Sequence, residues 1–91
     1  MFKGSTVGQQ VKMLETEYVA NLSSIPRERY DKGVEERFLS FVKMCDRVLA
    51  DRRIAPSQAD KIMSYKLLVE TELEWIRKRQ LSGQSGGRKT V

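Results

Sequence analysis

A nucleophile, a phosphate-binding loop and a carboxylate pair are the three kinds of chemistry that residue types in this chain could support. The nucleophile would be Cys45, the one cysteine. Catalysis by a thiol needs a neighbouring cation or base to hold it as the thiolate. Lys43 and Arg47 are close in sequence, but at helical spacing they project from other faces. Cys45 itself falls beside Phe41, Val42 and Val48 on an apolar stripe, where a thiol behaves as a small inert hydrophobe.

The stretch Gly83 to Thr90 (GQSGGRKT) has the outline of a loop whose glycines let backbone N–H groups cradle phosphates. Arg88 stands where the second required glycine belongs, and no helix-forming stretch follows it in the sequence. The acidic groups Glu35/Glu36 and Glu70/Glu72/Glu74 do not form a catalytic dyad. Adjacent and alternate positions diverge on a helix, and nothing suggests the desolvation that would separate their pKa values. Glu70 and Glu74 share a face, best read as solvated, as is the charge run Arg27, Glu28, Arg29, Asp31 and Lys32. Histidine is absent, which removes the commonest proton shuttle near neutral pH and the commonest zinc ligand. The expectation is therefore no enzyme, no cofactor and no metal.

Charge is more informative when located. Residues 1–75 carry twelve Lys plus Arg against twelve Asp plus Glu, so the net +5 lies wholly in Arg77, Lys78, Arg79, Arg88 and Lys89. Positive charge near a helix C-terminus is favoured by the macrodipole. The same five cations also suit an acidic protein surface, or phosphates in a salt-dependent contact blind to base sequence. A helix-turn-helix reading would make 57–65 a recognition helix with Gln58, Lys61 and Ser64 on base edges. The long preceding helix and the lack of a short glycine-bearing turn argue against it.

The elements that carry these residues are helices. Thr6 and Gln9 have the form of a capping box, with Ser5 as the alternative cap. Val7, Val11, Leu14, Tyr18 and Leu22 then recur at steps of three and four, which predicts a first helix over about 6–21. Ser23, Ser24 and Pro26 break it. A second helix is expected over about 26–52, with the stripe Tyr30, Val34, Phe38, Phe41, Val42, Cys45, Val48 and Leu49. Gly33 is its weak point, and the alternative is that a short segment 27–32 splits off. Pro56 ends that element, and Ser57 is expected to cap a third helix over 57–81. Ile62, Tyr65, Val69, Leu73 and Ile76 form its main stripe, Met63 and Leu67 widen it to one side, and Leu68 with Trp75 lies on the other.

A chain of 91 residues is one domain at most. The predicted fold is all-α: a three-helix bundle over 1–81 with a long antiparallel hairpin of helices 2 and 3, and a flexible basic tail over 82–91. Neither a signal peptide nor an apolar run of about 20 residues is present, so a cytoplasmic protein without a membrane segment is expected. The helices offer more apolar surface than one short chain hides. The functional expectation is a small binding or regulatory protein that engages a protein partner, or itself as a homo-oligomer, with Leu68 and Trp75 as anchors. The alternative is a nucleic-acid-binding protein in which a dimer presents two basic C-terminal ends.

Overall fold

A computed structural model describes the backbone of residues 6–89 and the side chains of residues 6–79. Every regular element in it is helical: α1 spans Val7–Thr16, α2 Lys32–Leu49 and α3 Pro56–Lys89. The capping box forms as the sequence predicts. Thr6 Oγ1 accepts from the Gln9 N–H at 3.1 Å, and Gln9 Oε1 accepts from the Thr6 N–H at 3.0 Å, so two orphan donors of the first turn are satisfied.

Beyond Thr16 the winding changes. Glu17–Asn21 is a π-helical turn and Leu22–Ser24 a 3-10 turn, yet Tyr18 still packs on the core and Leu22 is buried within it. The serines act as expected, competing for the backbone: Ser23 Oγ donates to Val19 O and Ser24 Oγ to Asn21 O, each at 2.9 Å.

The second helix departs from the sequence reading at its start. Arg27–Arg29 is an isolated 3-10 turn, Tyr30 and Asp31 are extended, and α2 begins only at Lys32. A continuous helix from Pro26 is therefore incorrect, and the alternative of a short separate segment is closer. The break lies at Tyr30 and Asp31, not at Gly33, because the Asp31 carboxylate accepts from the Val34 N–H at 2.9 Å and caps α2. The end is earlier too, at Leu49 and not at residue 52.

Pro56 opens α3 and does not close the element before it. Proline suits a first helical position, where the missing N–H has no intrahelical partner. Gln58, two residues on, accepts from the Ala55 N–H at 2.9 Å; Ser57 lies inside the first turn, one residue after the observed start. The expected end at residue 81 is passed, since α3 is bounded at Lys89. The expected flexible tail starts at residue 82; its side chains, and residues 90–91 altogether, lie outside the described residues.

The three helices share one core. Phe38, Phe41, Cys45 and Val48 from α2 meet Ile62, Val69 and Ile76 from α3, and Val7, Val11 and Leu14 from α1 close the third side. Ile62, Val69 and Ile76 are seven residues apart, so each returns to one line along the helix after about two turns. The packing of α2 on α3 has a defined order. Lys66 pairs with Asp46, whereas Glu35 and Leu39 share a groove with Leu73 and Arg77, so numbers rise along one helix as they fall along the other. Around the core, Glu15 of α1 takes Lys61 at 3.5 Å and the Tyr65 hydroxyl at 3.2 Å, and Glu17 takes Arg37 at 3.4 Å.

Candidate functional site

Cys45 has no solvent exposure. Burial, helped by the Asp46 carboxylate, pushes its pKa up to about 12. A thiol held protonated inside a core does not attack a substrate. Glu70 and Glu74 are exposed, as a solvated face requires. Among the described residues no group of three or more Cys, Asp or Glu is placed to hold a metal ion, and no helix is long and apolar enough to cross a membrane.

Trp75 stands in a polar and aromatic cluster that sequence spacing does not reveal. With the chain extended at Tyr30, that ring swings across α3 and meets Trp75 edge-on at 5.6 Å and 83°, and Phe38 at 5.3 Å and 87°. Arg27 and Arg79 place their guanidinium centres over the indole at 5.0 and 5.3 Å, attracted by the negative face of the ring. Glu72 ties the cluster together. It accepts from Arg27 Nε and Nη2, both at 2.9 Å, and from the Tyr30 hydroxyl at 3.1 Å.

These bonds stabilise the carboxylate, so Glu72 titrates below its usual range, chiefly through Arg27. Burial, with Glu72 beside it, pushes Tyr30 up to about 12. Arg27, read from the sequence as one of a run of solvated charges, is exposed but also held by Glu72 and stacked on Trp75. Trp75 is half-buried, and it is the connector between α1 and α2 that covers it. A cleft of about 250 Å³ borders this cluster, lined among others by Tyr18, Leu22, Arg27, Tyr30 and Glu72. Arg27, Tyr30 and Glu72 already satisfy one another there.

Leu68, the other expected anchor, is 49% exposed, and it is not alone. Met63 is 56% and Leu67 65% exposed, although the sequence reading has both widening the main stripe to one side. At 100° per residue they lie about 120° to 160° round the helix from Val69, where α1 and α2 do not reach. The exposed apolar surface is therefore wider than the Leu68 and Trp75 that residue type suggested. The exposed apolar residues lie on the outer face of α3, centred on Leu67, with Leu68 at one edge and the partly covered Trp75 beyond it. Arg77, Lys78 and Arg79 are exposed on the next turn; the side chains of Arg88 and Lys89 lie outside the described residues. Comparison of the chain with protein-family models, with curated proteins and with solved structures gave no match.

Proposed function

We propose that the protein is a non-enzymatic binding protein that engages a protein partner through the outer face of α3. The observation that carries this reading is the side-by-side exposure of Met63, Leu67 and Leu68 on a helix whose opposite side fills the core. Clustered apolar groups on a surface favour a partner that removes them from water. A photo-crosslinking amino acid at position 67 tests it in the cells that make the protein. Protein adducts, whether to another protein or to the chain itself, are the expected result; their absence, or adducts to nucleic acid alone, would refute the reading.

The second reading is a nucleic-acid contact, favoured by the consecutive exposed cations Arg77, Lys78 and Arg79. Such a complex weakens steeply with salt, by about 0.9 in the logarithmic slope for each phosphate neutralised on duplex DNA. A contact centred on Leu67 changes little over the same range. Removing residues 82–91 deletes Arg88 and Lys89 and lowers that slope by up to about 2 only if they touch phosphates.

A further inference from the structure

The outer face of α3 is bounded by two exposed charges of opposite sign. Asp60 lies at one end and Lys78 at the other. Eighteen residues separate them, about five turns or roughly 27 Å, so both project from the same line along the helix. Among the described residues neither makes an ion pair. Between them the face presents Met63, Ser64, Leu67, Leu68 and Thr71, all exposed and uncharged, and one further charge, the exposed Glu74.

The two hydroxyls are already used inside the helix. Ser64 donates to Asp60 O at 3.0 Å and Thr71 to Leu67 O at 2.9 Å. Both can therefore leave water without orphaning a donor. Glu74 lies about 40° round the helix from the Asp60–Lys78 line, inside the face, and is matched by Arg77 of its own helix at 3.4 Å.

We infer that this face binds a second copy of the chain, α3 against α3 and running in opposite directions about a two-fold axis near the level of Val69. The inference rests on the protein-binding reading of the same surface and names its occupant. The order of charges carries it. Reversed end to end, the two charged ends complement each other: Asp60 meets Lys78 of the second copy, Lys78 meets its Asp60, and Leu67 meets Thr71 on each side of the axis. Glu74, already paired with Arg77, meets the small Ser64 and no like charge. This is the self-matching pattern of an isologous contact. A parallel pairing instead sets Asp60 against Asp60 and Lys78 against Lys78, which like-charge repulsion disfavours. Small side chains at Ser64 and Thr71 let two helices approach to the usual 8–10 Å.

Sedimentation equilibrium of the full chain from micromolar to millimolar concentration tests the pairing. The expected result is a species of twice the 10.5 kDa chain mass, with Leu67→Glu raising the dissociation constant by about tenfold or more. Since Leu67 is exposed in the single chain, that variant keeps its helical circular dichroism. Asp60→Lys and Lys78→Glu each weaken self-association on their own. Mixed in equal amounts they restore it, because both ends of the mixed pair then carry opposite charges. A wild type that stays at 10.5 kDa throughout, a dimer indifferent to Leu67→Glu, or a mixture no tighter than its components overturns the inference. Should the wild type be monomeric while cross-linking from position 67 still captures another protein, only the self-pairing fails. Absence of both dimer and adduct removes the protein-binding reading with it.

Discussion

The environments of Cys45 and Glu72 push two acidic groups in opposite directions, and both shifts lead to measurements. With its pKa at about 12 and no exposure, the Cys45 thiol resists iodoacetamide at neutral pH until the chain unfolds. Alkylation followed by mass spectrometry across a urea titration should track unfolding. Cys45→Ser should cost about 1 to 3 kcal/mol, since a buried hydroxyl in that apolar setting has to find a partner. Glu72 titrates in the folded chain below its ordinary 4.5. The unfolded state then takes up the proton first as pH falls, so the stabilisation is complete above 4.5 and is lost as pH drops through the lower folded value. Trp75 fluorescence should change over that acid range, because protonating Glu72 frees Arg27 and Tyr30 from it. Glu72→Gln should abolish the transition; an unchanged acid titration in that variant would refute the coupling.

At the level of elements, α2 depends on how it starts. Asp31→Ala removes the cap on the Val34 N–H and should cost about 1 kcal/mol. Gly33→Ala should act the other way, by roughly 0.5 to 1 kcal/mol. An added Cβ there meets only Asp31 Oδ1, at an ordinary 3.4 Å. Denaturant midpoints of the two variants, moving in opposite directions at equal slope, are the check. The stripes of all three helices were readable from spacing, because burial on one face imposes the helical period on residue type. The break at Tyr30 and Asp31 was not. Tyr30, Val34 and Phe38 keep the same four-residue steps whether or not the helix continues, and what holds Tyr30 outside it is Glu72, 42 residues away. Spacing did set Met63 and Leu67 apart from the line of Ile62, Val69 and Ile76, by about 120° to 160° round the helix from Val69, but their apolar type drew them into the widened stripe. Apolar type records a preference to be covered, not the direction from which a neighbour comes.

For the molecule as a whole, sequence alone located the excess positive charge and the surplus of apolar surface, but not the end-to-end sign reversal across α3, which needs the other two helices in place to show which face they leave open. That reversal has a thermodynamic consequence. If folding and pairing are coupled, unfolding one dimer releases two chains, so each tenfold rise in concentration stabilises the dimer by about 1.4 kcal/mol, or about 0.7 per chain. For a domain of this size 1 kcal/mol moves the melting temperature by about 4 to 8 °C. The wild type should therefore melt about 3 to 6 °C higher for every tenfold increase in concentration, as long as the pair is populated. Leu67→Glu should shift less over the same tenfold increase, because its weaker pair is less populated at each concentration. Circular dichroism melts at two concentrations tenfold apart separate the cases: superimposable wild-type curves would mean that the face stays in water, and an equal shift in both proteins would place the association elsewhere on the surface.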